Sequence, residues 1–143
     1  MPNQQPVTII MVEDDEGHAR LIEKNIRRAG VYNELRTFTS GTAALEHLFS
    51  EAVRNAGPFL VLLDLNLPDM NGVDILAKLK SDEKLKRAPV VVLTTTDDRR
   101  EVQRCYDLGA NVYITKPVEY ESFSQAIRQL GLCLSVIQVP EAL

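Results

Sequence analysis

The sequence predicts an α/β domain built on a five-stranded parallel sheet with helices on both faces. Five short runs with strand composition alternate with five stretches of helical periodicity over the 143 residues. Four of these runs are apolar throughout rather than alternating, as expected for strands covered on both faces. Strict β–α alternation produces parallel strands joined by right-handed crossovers, so we expect a doubly wound (βα)5 sheet.

The four apolar runs, all rich in Val, Leu and Ile, span residues 7–12, 59–63, 90–93 and 112–115. A weaker run, 34–38, lies between the first two and completes the five strands. β-branched residues favour extended backbone, which supports the assignment of these runs as strands rather than as short buried helices.

Each interval between strands, and the segment after the last one, carries an apolar stripe with helical spacing. The five stripes are Ile22, Ile26 and Ala29; Leu45, Leu48, Phe49 and Ala52; Ile75, Leu76 and Leu79; Val102, Cys105 and Tyr106; and Phe123, Ile127, Leu130 and Leu134. Gly30 and Gly109 follow the first and fourth stripes, where a left-handed residue commonly ends a helix. Asp98 and Glu101 have the spacing of a capping pair that opens the fourth helix.

Composition and charge restrict the class of protein. Hydrophobic residues make up 45% and charged residues 25% of a chain with net charge −4, which is typical of one globular domain and gives no basic surface for nucleic acid. No apolar run is long enough to span a bilayer, and the N-terminus lacks the pattern of a signal peptide. Cys105 and Cys133 show no metal or disulfide spacing, and Cys105 is predicted to be a buried thiol. We therefore expect a cytoplasmic protein without a membrane or nucleic-acid partner.

Polar residues follow four of the five predicted strands. The clusters are Glu13, Asp14 and Asp15; Asp64 and Asn66; Thr94, Thr95 and Thr96; and Thr115, Lys116 and Pro117. Because the carboxyl ends of parallel strands meet at one edge of a sheet, these clusters are expected to lie together. Carboxylates suit a hard cation such as Mg²⁺, and a carboxylate beside the metal can attack phosphorus. A lysine and a hydroxyl would stabilise the phosphoryl oxygens.

Each piece alone has a simpler structural explanation. Asp14 or Asp15 could cap the following helix, and a lysine before proline is an ordinary turn. Asp64 is harder to explain in this way, because it ends the most apolar strand, where an ionised group is costly without a partner. The combination of all four clusters favours a phosphoryl site.

Four segments, IIMVEDDEGHARLI, LLDLNLPDMNGVDIL, VVVLTTTD and GANVYITKP, resemble the receiver domain of two-component response regulators, whose fold is flavodoxin-like. The resemblance covers about residues 6–131, with 1–5 as an N-terminal tail and 132–143 as an extension of the last helix. It implies a phosphorylation-activated switch that accepts a phosphoryl group from a sensor histidine kinase and also dephosphorylates itself.

The resemblance assigns the metal and phosphate site to specific residues. It implies that Asp64 is the phosphoacceptor and a Mg²⁺ ligand. Asp14 would bind the metal directly, Glu13 through water, and Asn66 through its backbone carbonyl.

The resemblance also implies the parts of a switch. Thr94 would be the hydroxyl that moves toward the phosphoryl group, and Lys116 would pair with the phosphoryl oxygens. Tyr113 would be the aromatic rotamer switch, although a partly buried strand aromatic explains its spacing equally well. The Lys116–Pro117 peptide bond would be cis.

Three further polar residues are expected to lie outside the phosphoryl site. Asp15 is predicted to face solvent or to cap the first helix. His18 lies about one turn into that helix, near the rim of the site, where it could influence phosphoryl access, although a surface position is expected. His47 carries no functional signal.

The chain ends shortly after the receiver motifs, so we expect no attached effector. The output is then expected to pass through a surface that changes shape, to a downstream partner protein, through a dimer, or by transfer of the phosphate to a phosphotransfer partner. The connection 51–58 and the triplet Thr94, Thr95 and Thr96 are similar to single-domain regulators that partner bacterial phytochromes, although the tail GLCLSVIQVPEAL lacks their aromatic residue. The tail is apolar, which predicts that it is buried in a homodimer. Its exposed apolar residues would be Leu132, Leu134, Val136, Ile137 and Val139.

Two other classes of protein fit less well. A phosphohydrolase with an aspartyl nucleophile would carry a second acid two residues later, and Asn66 occupies that position and cannot act as a general acid. A degenerate receiver that binds partners without phosphorylation would lack site residues, and all of them are present.

Overall fold

The computed structural model describes residues 7–28, 30–54, 57–95 and 98–116, together with Glu121 and Gln125. Its strands are β1 (Thr8–Val12), β2 (Leu35–Phe38), β3 (Phe59–Asp64), β4 (Val90–Thr94) and β5 (Val112–Thr115). They form one sheet in the order β2-β1-β3-β4-β5, and every neighbouring pair is parallel. The predicted parallel α/β fold is confirmed.

Helices fill the connections between the strands. They are α1 (Glu16–Arg28), α2 (Gly41–Leu48), α3 (Glu51–Arg54), α4 (Gly72–Ser81) and α5 (Arg99–Asp107), with a 3₁₀ turn at Leu85–Arg87. The apolar stripe of the fifth predicted helix, from Phe123 to Leu134, lies outside the described residues, as does Ala29. Within the described residues, no helix is both long and apolar enough to cross a bilayer.

The two faces of the sheet bury separate apolar clusters, as the continuous apolar strands predict. One face packs against α1 through Ile22 and Ile26. The other face packs against α2, α4 and α5 and buries Leu48, Ile75 and Cys105, among others. The helices therefore cover both faces and leave the carboxyl edge of the sheet open for a site.

The second predicted helix is divided in two, which the sequence pattern missed. The cause is Ser50, whose hydroxyl donates to the carbonyl of His47 at 2.7 Å and accepts from the N–H of Val53 at 3.3 Å. This side chain ends α2 and begins α3, since serine competes with the helical backbone for hydrogen bonds.

The division changes which residues face the core. Phe49 is 37% exposed and Ala52 is exposed, so these two members of the predicted stripe do not face the core, and Val53 is buried instead. Tyr106 is also misplaced by the helical pattern, because 43% of it is exposed although Cys105 beside it is fully buried. An apolar stripe thus identifies the side of a helix that faces the core, but not which residues at the margins of that side are buried.

Helix ends follow the predicted signals. Gly30 and Gly109 have φ angles of 88° and 111°, the left-handed region that favours glycine. The carboxylate of Asp98 caps α5 by accepting from the N–H of Arg100 at 2.9 Å. These ends determine where each helix stops above the sheet.

Candidate functional site

The register of the sheet brings the predicted polar clusters to one edge. Val12 pairs with Leu63 between β1 and β3, so Glu13 and Asp64 leave adjacent strands at the same level. On the other side of Asp64, Thr94 pairs with Thr115, the last residue of β5, which places Lys116 directly after that strand at the same edge of the sheet.

Three carboxylates form the floor of the site. One oxygen of each of Glu13, Asp14 and Asp64 lies within 4.8 Å of the others. Glu13 is 1% and Asp64 3% exposed, whereas Asp14 faces solvent. A set of three hard oxygen donors with one open side fits a divalent cation that retains water ligands.

Glu13 is the most constrained of these carboxylates. Burial raises its pKa above the ordinary value, and the negative charge of Asp64 adds to that rise. Hydrogen bonds from Lys116 and from the backbone N–H of Asp15 act in the opposite direction. The charged form of Glu13 therefore depends on these two donors.

Lys116 neutralises the buried carboxylates. Its Nζ lies 2.6 Å from Oε1 of Glu13 and 3.3 Å from Oδ2 of Asp64, and its side chain is 6% exposed. Its backbone N–H donates to the carbonyl of Thr94 at 2.6 Å, which ties the end of β5 to the end of β4. The ammonium of Lys116 is thus held beside Asp64, where it can neutralise further negative charge added to that carboxylate.

The loop after β3 encloses Asp64. The backbone N–H of Asn66 donates to Oδ1 of Asp64 at 3.2 Å, and the N–H of Gly72 donates to the carbonyl of Leu65 at 2.8 Å. A Cβ at position 72 would lie 2.4 Å from the carbonyl oxygen of Asp64, closer than such contacts allow. Glycine is needed here because the start of α4 closes directly over the backbone of the phosphoacceptor candidate.

The predicted switch residues lie on one side of this site. Thr94 is fully buried, and its hydroxyl is 3.5 Å from Nδ2 of Asn66, while that of Thr95 is 3.4 Å away. Tyr113 is half-buried and pairs in register with Val92, so Tyr113 and Thr94 lie on the same face of the sheet. Thr96 and Pro117 are outside the described residues, and the cis bond at Pro117 stays a prediction.

Asp15 and His18 lie beside the acidic cluster. Asp15 is exposed and caps α1, as predicted, by accepting from the N–H of His18 at 2.9 Å. The side chain of His18 is 47% exposed, but its Nδ1 lies 3.2 Å from Nζ of Lys116. The contact was missed because the sequence places these residues 98 positions apart.

Asp69 is a second residue that sequence reasoning missed. Its carboxylate accepts from the N–H groups of Gly41 and Thr42 at 2.8 and 2.7 Å, and from the hydroxyl of Thr42. These bonds lower its pKa to about 2. A pocket of about 560 Å³ opens between this loop and Asp14, and Asn66 lines it.

His47 lies beside the edge strand β2. It lines a pocket with Thr8 and Phe59, which begin β1 and β3. Its ring packs against Phe38 with a centroid distance of 4.8 Å.

Comparison with known proteins identifies the family. The sequence model of the family described as response regulator receiver domain matches residues 9–128 of this chain. A receiver domain of a response regulator from Rhodospirillum rubrum is 66% identical, with 92% of this chain and 96% of that chain covered and a TM-score of 0.78.

Two cyanobacterial regulators are similar over nearly the whole chain. Response regulator Rcp1 of Synechocystis sp. is 34% identical over 140 residues, which cover 96% of this chain and 95% of Rcp1. The Mn²⁺-bound structure of Rcp1 superposes with a TM-score of 0.73, at 36% identity over 89% of this chain and 95% of that chain. The phosphorylated phytochrome response regulator RcpA has a TM-score of 0.73 and 35% identity over 90% of this chain and 94% of its own. This chain belongs to the receiver domain family of response regulators, the phosphorylation-activated switches of two-component signalling.

Proposed function

We propose that the switch is operated by transfer of a phosphoryl group to Asp64, with Glu13, Asp14, Asn66, Thr94 and Lys116 forming the site around it. The observation that carries this proposal is the position of Asp64. It ends a buried strand, is 3% exposed, and has both a lysine ammonium and two further carboxylates within reach. A carboxylate in such surroundings is costly to bury unless it serves a function.

The transfer step requires a carboxylate oxygen of Asp64 to attack phosphorus. An O–P bond forms, the P–N bond of a phosphohistidine breaks, and the histidine ring leaves with the electron pair and then takes up a proton. Lys116 lies 3.3 Å from Oδ2 of Asp64 and donates to the oxygens on which charge accumulates. Attack of water on phosphorus reverses the modification, releases inorganic phosphate and restores the carboxylate.

The acidic cluster is the proposed Mg²⁺ site. Asp14 and Asp64 would bind the ion directly, Asn66 through its backbone carbonyl and Glu13 through water. A bound Mg²⁺ neutralises carboxylates and phosphoryl oxygens that would otherwise repel one another. The exposed position of Asp14, beside a polar pocket, leaves room for water ligands, and the Mn²⁺-bound structure of Rcp1 supports a divalent cation.

The output is proposed to pass through Thr94 and Tyr113. A phosphoryl group on Asp64 offers new acceptor oxygens to the hydroxyl of Thr94, which biases the loop after β4 toward the site. Because Tyr113 lies on the same sheet face as Thr94, its ring can fill the space that this movement leaves. The surface formed by β4, β5 and α5 would then change shape for a partner protein.

The kinase partner is proposed to be a sensor histidine kinase of the phytochrome class in the cytoplasm. The support is the similarity to RcpA, a phytochrome response regulator. Incubation with an autophosphorylated bacterial phytochrome kinase is expected to move radiolabel to this chain and not to Asp64→Asn. Retention of all label on the kinase would contradict this partner.

The receiver domain is proposed to span residues 6–131, and residues 132–143 to bury their apolar side chains in a homodimer. The tail lies outside the described residues, so its composition is the support. Sedimentation velocity should show a dimer that weakens when Leu134 and Ile137 are replaced by serine. A monomer at every concentration would contradict the proposal.

The central experiment is phosphate-affinity electrophoresis after incubation with acetyl phosphate and Mg²⁺. The wild type is expected to shift, and Asp64→Asn is not. Asp69→Asn is a matched control, since it removes a neighbouring carboxylate of the same loop while Asp64 is kept. A wild type that does not shift would overturn the assignment of Asp64.

A further inference from the structure

The imidazole of His18 reaches the buried ammonium of the site. Its Nδ1 lies 3.2 Å from Nζ of Lys116 and 3.8 Å from Oε2 of Glu13. Asp15 caps α1 by accepting from the backbone N–H of His18, which holds the first turn of the helix. The backbone from which the imidazole reaches Lys116 is therefore fixed by the end of β1 and the start of α1.

The chemistry of the two groups determines which nitrogen accepts. A lysine ammonium only donates hydrogen bonds, so Nδ1 of His18 presents its lone pair to Lys116. The neutral ring then carries its proton on Nε2, on the side turned away from the ammonium.

Among the described residues, Lys116 has three groups that can accept from its ammonium. It contacts Oε1 of Glu13 at 2.6 Å and Nδ1 of His18 at 3.2 Å, and it forms an ion pair with Oδ2 of Asp64 at 3.3 Å. The contacts with Glu13 and His18 restrict the rotation of the ammonium about its Cε–Nζ bond. A third N–H is then left for Asp64, the ion-pair partner.

We propose that His18 is a positioning residue for phosphoryl transfer, which acts by accepting one N–H of Lys116 so that another points to the phosphoryl oxygens on Asp64. The inference rests on the proposed phosphorylation of Asp64. A donor that is oriented in advance needs no reorganisation when charge develops, and this is how fixed hydrogen-bond donors accelerate such reactions. Without His18 the ammonium keeps its short bond to Glu13 but turns its other N–H groups toward water.

Three substitutions separate the acceptor from the bulk of the ring. His18→Leu removes the acceptor, His18→Asn keeps an oxygen near the position of Nδ1, and His18→Gln moves it to the position of Nε2. The rate of phosphorylation by acetyl phosphate with Mg²⁺ is expected to fall roughly 3- to 10-fold in His18→Leu and His18→Gln, the effect of one modest hydrogen bond. His18→Asn should remain within about twofold of the wild type.

The matched control is His47→Leu, which removes the other imidazole, packed against Phe38 of β2, and should leave the rate unchanged. A normal or faster rate in His18→Leu, or an equally slow rate in His18→Asn, would overturn the proposal. Either result would leave the assignment of Asp64 intact as long as the wild type is phosphorylated.

Nitrogen NMR tests the contact in the unphosphorylated protein, where the outcome does not depend on the function of Asp64. The ring of His18 should show an unprotonated Nδ1 and a protonated Nε2, and Lys116→Met should shift the Nδ1 signal while the signals of His47 stay in place. A proton on Nδ1, or no response to Lys116→Met, would refute the inference. The chain has only two histidines, so the signals are readily assigned with His47→Leu.

Discussion

Lys116 is the residue on which the charge balance of the site depends. Its side chain is 6% exposed and it pairs with Glu13 and Asp64, which are almost completely buried. Removing one partner of a buried ion pair is costly, because the remaining charge keeps its desolvation penalty without compensation.

We expect Lys116→Met to lower the free energy of unfolding by about 3–5 kcal/mol in EDTA at neutral pH. Urea unfolding followed by circular dichroism measures it, and Lys24→Met, at an exposed position of α1, is the control. The double variant Lys116→Met with Glu13→Gln should lose less free energy of unfolding than the sum of the losses in the two single variants. A loss equal to that sum would mean that Lys116 and Glu13 do not stabilise each other.

Gly72 shows how closely the backbone approaches the site. A Cβ there would meet the carbonyl oxygen of Asp64 at 2.4 Å and Cα of Leu65 at 2.8 Å, and neither backbone atom can move without shifting the end of β3. We expect Gly72→Ala to destabilise the fold by roughly 1–3 kcal/mol, as overpacking does. Gly17→Ala is the comparison, because the nearest atom to its Cβ would be a side-chain oxygen of Asp15 at 3.2 Å and not a backbone atom. Equal unfolding midpoints for the two variants would show that the loop after β3 can shift to make room for the added methyl group.

At the scale of elements, α2 is capped by a residue from another loop. Asp69, which follows β3, accepts from the N–H groups of Gly41 and Thr42, while Ser40 accepts from that of Ala43 at 3.1 Å. These are the N–H groups that the start of a helix leaves without partners. The loop that encloses Asp64 is therefore attached to α2.

The cap gives stability a specific dependence on pH. The pKa of Asp69 is lowered to about 2 in the folded protein, below its ordinary value of 3.8. Its stabilising effect is complete above that ordinary value and is lost as the pH falls toward 2 and below. Asp69→Asn should lower the melting temperature at pH 6 by about 2–4 °C, as the loss of a helix cap does, and should make the melting temperature fall less steeply between pH 4 and 2. Glu46→Gln, on the exposed face of α2, removes the same charge without touching the cap, and an identical pH profile for Asp69→Asn and the wild type would refute the prediction.

At the scale of the whole molecule, the carboxylate cluster links folding to cation binding. A cation that binds only the folded state raises stability by mass action, about 2.7 kcal/mol when its concentration is 100 times the dissociation constant. We expect Mg²⁺ to raise the melting temperature of the wild type in a saturable way. Asp14→Asn should abolish this increase and leave the contacts of Lys116 unchanged, whereas Glu16→Gln, an exposed acid two residues along, should retain it. An equal increase in the wild type and Asp14→Asn would place the ion elsewhere.

The sequence by itself determined the order of strands and helices, the helix ends at Gly30 and Gly109, and the polar clusters at the strand ends. Each of these depends on periodicity or backbone preference within a few residues, and local chemistry encodes them. The positions of Asp64 and Lys116 followed from one further rule, that parallel strands end at a common edge.

Only the tertiary structure decided which side chains touch across that edge. The pairing of His18 with Lys116, the cap that Asp69 places on α2 and the close approach at Gly72 join segments whose relative position depends on sheet order, register and loop path. The break between α2 and α3 was also not predicted, because the hydrogen bonds of the Ser50 hydroxyl end one helix and begin the next within a continuous apolar stripe. Asp64 and the polar clusters around it were therefore predictable from the strand ends. The individual contacts were not, since distances of about 3 Å are set by packing and not by spacing along the chain.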